Sequence, residues 1–188
     1  MNQSVAVWLL IGLSLVTANL SFITQRTLIF FPWQQQGEPT GSSLLRFFRS
    51  VLFLAILCGV AYLAHGYIAQ SFFSSAALLI GTVAVVSVVF AVLLYIPGYL
   101  LRQYPVQKSV LDRLLEMFTL FCLMGVLGFA FEASIGNPFP QGWEFYSIAL
   151  CLYVVLGYPG FVFRYLLKRR RVHPGVAKQA QKNKAAAS

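Results

Sequence analysis

The chain has 188 residues, 59% hydrophobic and 10% charged, with a mean hydropathy of +0.74. A water-facing domain carries about a quarter charged residues, so there is too little polar material here to cover a soluble surface, and the chain reads as an integral membrane protein. Its formal charge of +9, from 14 Lys and Arg against 5 Asp and Glu, invites a nucleic-acid reading. The cations punctuate the ends of apolar runs, however, and the basic carboxyl tail has no aromatic residues interleaved for base stacking, so no nucleic-acid partner is expected.

Crossing a hydrocarbon core about 30 Å thick takes roughly 20 apolar residues of helix, and five stretches reach that length: 5–24, 51–72, 76–96, 114–131 and 145–166. The expected fold is an all-α membrane helix bundle, one domain over 1–171 followed by a disordered basic tail over 172–188. The first stretch could pass for a signal peptide. It has Asn2 and Gln3 where a basic leader would stand, and Leu20, Phe22 and Ile23 where a small-residue cleavage site would be needed, so it reads as a retained span. Within it lie Ser14, Thr17, Asn19 and Ser21. Asn19 is the costliest of these to bury, and it is expected to hydrogen-bond to another helix as structural glue.

Span two follows Arg46 and Arg49 and contains Cys58 and His65. The histidine is read as a lone interfacial side chain, with no second metal ligand near it in sequence. Span three ends in YIPGYLLR and span five in YPGFVFR, so Pro97–Gly98 and Pro159–Gly160 occupy matching places. Proline cannot donate to the carbonyl four residues back, which leaves Leu93 and Val155 short of a partner and predicts a kink near one end of each helix. A bend that helps packing is favoured over a gate or a binding site. The two halves, 46–102 and 113–164, also share CGV and MGV motifs at 58–60 and 124–126. Duplication of a two-helix hairpin and chance alignment of apolar sequence both account for that.

Glu116 lies one turn into span four, three residues after Arg113 and on the same face. An ion pair with Arg113 is expected; the alternative is a buried carboxyl acting as a proton relay. Glu132 closes span four. Glu144 opens span five, where the helix dipole favours an acid. Cys58, Cys122 and Cys151 lie inside apolar runs and read as small core thiols, with neither a disulfide framework nor a zinc spacing. No nucleophile-and-base set, phosphate loop, metal pattern or dinucleotide fingerprint is present, so neither an enzyme nor a cofactor is expected. Lys168, Arg169, Arg170 and Arg171 form a run that would bind anionic headgroups at about 1 kcal/mol each.

Orientation follows from the cations. Arg26, Arg46 and Arg49 lie between spans one and two, Arg102, Lys108 and Arg113 between three and four, and the remaining eight from Arg164 onward; the other side has none and carries Glu132 and Glu144. Cytoplasmic loops hold the excess of Lys and Arg, so the amino end is expected outside and the carboxyl end in the cytoplasm.

The motif FPQGWEFY at 139–146, with RLLE at 113–116, the arginine-rich end after YPGFVFRYLL and VWLLIGLSLVTANLSF at 7–22, resembles an uncharacterised family of small bacterial inner-membrane proteins, a domain of unknown function. Over about 1–32 and 108–171 the pattern matches Asn19, Arg113, Glu116, Glu132, Gly142, Trp143, Glu144, Phe145 and Tyr146, and residues 37–107 would be an insertion. Genes of that family commonly lie beside those for the membrane subunits of the proton-pumping NADH:quinone oxidoreductase. The resemblance therefore implies a non-catalytic accessory or assembly protein of that respiratory complex. The alternatives are a small transporter or proton conductor using Glu116, and a scaffold that binds anionic lipid through its basic face.

Overall fold

The computed structural model describes residues 3–35, 42–70, 76–102, 108–136 and 141–167. These form five helices: α1 (Gln3–Ile23), α2 (Ser43–Gln70), α3 (Ala76–Leu100), α4 (Val110–Ser134) and α5 (Trp143–Val162), the last continuing into a π turn at Phe163–Leu167. All five are long and apolar enough to cross a membrane, and no strand occurs among the described residues. The chain is an all-α membrane-type helix bundle. The basic run Lys168–Arg171 and the tail 172–188 lie outside the described residues.

These sequences make helices because they are long apolar runs with few breakers, and apolar on nearly every face. A helix of that kind belongs in lipid or in a large core. Here only 17–28% of each span's most apolar window is buried inside the bundle. Large apolar side chains such as Trp8, Leu44, Tyr62 and Leu63 stand more than 70% exposed. Surface of that composition is stable only against hydrocarbon. Exposed aromatics ring both ends, Trp8, Trp143 and Tyr146 at one and Trp33, Tyr95 and Tyr165 at the other. That distribution suits the two headgroup layers.

α1 is the centre of the packing, lying along both α4 and α5, while α2 lies along α4 and α3 touches α1 and α2 only lightly. α4 and α5 meet over α1 through aromatic pairs, Phe121 with Tyr153 at 5.5 Å and Phe129 with Tyr146 at 6.1 Å. The core has two main layers. One joins Ala6, Ile68, Leu79, Val83, Ala130 and Phe131 near the start of α1, and the other joins Ala18, Phe22, Leu28, Leu57, Leu94, Met117, Leu120 and Tyr153 near its end.

Three expectations need correction. Helix α2 begins at Ser43, eight residues before the apolar run, with its first rung from the Arg46 N–H to the Ser42 carbonyl at 3.2 Å. Arg46 and Arg49 are tolerated inside the helix because it outruns the hydrocarbon: 28 residues reach about 42 Å at 1.5 Å per residue. The Arg49 guanidinium lies 4.3 Å from the centre of the Phe30 ring. Helix α4 similarly overshoots its run at both ends and closes on Gly136, whose φ of 77° places it in the left-handed region that ends helices. Finally, Cys58, Cys122 and Cys151 are exposed on the bundle surface rather than in its core, because each helix turns most of its circumference outward.

Candidate functional site

The buried ionic groups Asp112, Arg113 and Glu116 gather at one end of the bundle, where α1 stops and α4 begins. Between α1 and α2 the chain runs through Thr24–Gln35 without helical structure, yet Thr27, Leu28, Phe30, Phe31 and Gln35 are buried. The segment folds back across the ends of α2, α3 and α4. Phe30 packs edge-on against Phe53 of α2 at 5.3 Å, and its carbonyl accepts from the Ser50 hydroxyl at 2.7 Å. Leu28 enters the core beside Met117 and Leu120.

Glu116 is the anchor of this junction and is fully buried. Its Oε1 accepts from the Leu28 backbone N–H at 2.7 Å, and its Oε2 takes the Lys108 ammonium at 2.5 Å. The expected partner, Arg113, is not the one it pairs with. Arg113 Nη1 instead donates to the carbonyls of Ser21 and Phe22, at 3.1 and 3.2 Å. The reason is local: α1 ends with orphan carbonyls and no basic residue in its last turn. Cations are stabilised at such a terminus, and the start of α4 supplies them. Lys108 adds a longer contact to the Thr24 carbonyl at 3.4 Å. The Tyr165 hydroxyl also lies beside the Arg113 guanidinium, and Arg164 lies close enough to repel it. Burial presses the Lys108 ammonium below the ordinary lysine range, and the Glu116 carboxylate opposes that shift.

Asp112 fastens the outer edge of the junction. Its Oδ2 accepts from the Ser109 backbone N–H at 3.0 Å and from Gln35 Nε2 at 2.9 Å, and its Oδ1 accepts from Trp33 Nε1 at 3.1 Å. Asp112, Trp33 and Gln35 are absent from the residues singled out by sequence, and Lys108 enters only as one of the cations that set the orientation. Ser109-x-x-Asp112 ahead of an apolar run is the signature of a helix start, and it could have drawn attention to Asp112.

Asn19 sits on the seam between α1 and α5, and the partner it reaches is the α5 backbone. Its Nδ2 donates to the Leu156 carbonyl at 2.9 Å while its Oδ1 accepts from the Gly160 N–H at 2.6 Å. In an unbroken helix Gly160 would donate to Leu156 directly, so the carboxamide is spliced into that rung. Pro159 was expected to leave Val155 without a donor; the side chain found at the break serves the next carbonyl along. The seam is close because α5 is smooth there. A Cβ on Gly160 would stand 2.7 Å from Asn19 Oδ1, and one on Gly157 would stand 3.2 Å from the Ala18 carbonyl. Tyr153 donates to the Thr17 hydroxyl at 2.9 Å, and Phe22 meets Phe161 edge-on at 5.9 Å.

The second Pro-Gly pair occupies a comparable place. Pro97 and Gly98 are buried, and a Cβ on Gly98 would stand 2.9 Å from Arg26 Cβ and 3.0 Å from the Thr27 carbonyl. Arg26 donates to the Tyr95 hydroxyl at 2.8 Å. Both Pro-Gly pairs thus admit the backbone of α1 or of the segment just after it.

The remaining predicted residues are not brought to the junction. Glu132 lies in the last turn of α4, with Oε2 buried and unpaired among the described residues. Trp143, Glu144 and Tyr146 lie in the first turn of α5, exposed. Both positions are at the other end of the bundle. Among the described residues no group of three or more His, Cys, Asp or Glu is placed to hold a metal ion.

Residues 79–168, which carry most of α3 and all of α4, α5 and the π turn, match the family model described as a protein of unknown function (DUF2818). That range includes Arg113, Glu116 and both Pro-Gly pairs. It also takes in 79–107, which the sequence resemblance set apart as an insertion, and it leaves out Asn19 and the rest of α1. No curated protein and no solved structure matches the chain. By sequence, then, this chain is similar over residues 79–168 to a family whose function is unknown.

Proposed function

We propose that the chain is a non-catalytic accessory or assembly protein of the bacterial inner membrane, associated with the membrane subunits of a respiratory NADH:quinone oxidoreductase. Its basic end would face the cytoplasm, as the distribution of Lys and Arg requires. One observation carries the non-catalytic part of the reading: the interior ionic and amide groups are engaged in fastening backbone. Glu116 holds Leu28, Arg113 caps α1, and Asn19 completes a rung of α5. The exterior is apolar along all five helices, a surface for lipid or for other membrane subunits. The respiratory partner is supported by the sequence resemblance alone. Solubilising native membranes in mild detergent and resolving the complexes tests it: the chain should migrate with respiratory subunits, and migration apart from all of them contradicts the association.

A second reading has an observation of its own. Glu116 is a fully buried acid beside a buried ammonium, an arrangement that could carry a proton. In liposomes holding the purified chain, Glu116→Gln should then abolish proton flux, and unchanged flux removes that reading. A scaffold acting through Lys168–Arg171 would bind more tightly as anionic lipid increases, and indifference to it dismisses that role.

A further inference from the structure

The end of α1 meets a corner of positive charge that the described residues leave unbalanced. Arg113 is 3% exposed, and its Nη1 serves the carbonyls of Ser21 and Phe22. Its Nε is buried without an acceptor among the described residues. The acids nearby are engaged elsewhere: Glu116 gives its two oxygens to Leu28 and Lys108, and Asp112 gives its own to Ser109, Gln35 and Trp33. A buried charge without its counter-ion is costly. A second guanidinium stands beside this one. Phe161 packs edge-on against Phe22, and the Tyr165 ring lies 4.8 Å from that of Phe161, so the π turn that ends α5 is held against the end of α1. It brings the Tyr165 hydroxyl beside Arg113 and Arg164 within repulsive range. Arg164 is half-buried and has no acid or carbonyl partner among the described residues. We propose that Arg164 and the Tyr165 hydroxyl, backed by the buried charge of Arg113, bind a phosphate ester at the basic end of the bundle.

Guanidinium groups match the oxygens of phosphate in geometry as well as charge, and two of them drawn together without an acid make a fork for such an anion. The tyrosine adds a donor: an oxygen turned toward Arg113 leaves its own hydrogen free to point outward. Position selects phosphate among anions. Tyr165 is exposed, and so are its apolar neighbours Phe163 and Leu166. The site therefore opens where hydrocarbon gives way to headgroups, the level at which every phospholipid carries its phosphodiester. The local backbone is unusual as well, since π turns are rare and recur at functional sites. This pocket of charge is separate from the run Lys168–Arg171, and the inference stands whether or not the chain serves a respiratory complex.

The test is native mass spectrometry of the full chain in detergent, titrated with dioctanoyl phosphatidylglycerol and, as the counterpart without a phosphate headgroup, dioctanoylglycerol. Wild type should bind the phospholipid and not the diacylglycerol, and so should Arg102→Gln, which removes an exposed cation at the same end. Arg164→Gln should weaken binding about tenfold, the effect of losing one charge-assisted hydrogen bond, and Tyr165→Phe should weaken it by a smaller factor. Displacement of the lipid by millimolar inorganic phosphate would assign the site to soluble phosphate esters, and resistance would assign it to lipid; either supports a phosphate contact. Undiminished binding in Arg164→Gln overturns the proposal and leaves Lys168–Arg171 as the headgroup contact. Equal binding of dioctanoylglycerol overturns it too, because the phosphate would then contribute nothing.

Discussion

The Lys108 ammonium and the Glu116 carboxylate are both shut away from solvent, and removing either leaves the other buried without its counter-charge. Such a loss costs about 3–5 kcal/mol, while replacing both partners by apolar groups of similar size is often neutral. Lys108→Met and Glu116→Gln should each destabilise the bundle by about that much, and the two together should recover most of it, since a glutamine oxygen can still accept from the Leu28 N–H. Unfolding by denaturing detergent, followed by circular dichroism, reads the cycle; additive losses would mean that the pair is not coupled. Half of this pair was visible in the sequence. Glu116 drew attention as a charge within an apolar run, but helical spacing pointed to Arg113. Lys108 lies eight residues away and outside the helix, and nothing in one-dimensional periodicity reveals that the chain before α4 turns back over it. The carbonyls that claim Arg113 belong to the end of α1, which is equally remote in sequence.

Among the helices, the strongest coupling is the seam where α1 crosses α5. Asn19→Ala removes three hydrogen bonds, one to the Leu15 carbonyl of its own helix and two across the seam, the latter each worth about 0.6 kcal/mol in a membrane bundle. The loss is softened because Gly160 can then donate to Leu156 directly, so a cost of about 1 kcal/mol is expected. Gly160→Ala should cost more, about 1–3 kcal/mol for overpacking, since its new methyl meets Asn19 Oδ1 and the Asn19 backbone. The double variant should cost less than the two singles together, because truncating Asn19 removes the nearest obstruction; strict additivity in the same unfolding assay would contradict the splice. The sequence announced the break through Pro159–Gly160 and an interhelical role through Asn19, but apolar helices with little amphipathic bias do not say which one faces which. The early start of α2 was hidden for a related reason. Hydropathy marks where lipid begins, and a helix continues past that boundary wherever its backbone can still pair.

For the molecule as a whole, number and placement of spans were legible because the membrane dictates a length and an apolar composition, both properties of the chain alone. The irregular segment Thr24–Gln35 was not, because its burial arises from the ends of α2, α3 and α4 closing around it. Its polar backbone is served by Glu116 and Ser50, side chains that the sequence places far away. The central claim is that all five helices cross the bilayer with every Lys and Arg on the cytoplasmic side. Cysteine accessibility tests it most directly. In a background with Cys58, Cys122 and Cys151 replaced by Ala, Gln141→Cys should react with a membrane-impermeant maleimide applied to intact cells whose outer barrier is open. Arg102→Cys should react only after the inner membrane is breached. Labelling of Arg102→Cys in intact cells, or protection of Gln141→Cys, would contradict the topology.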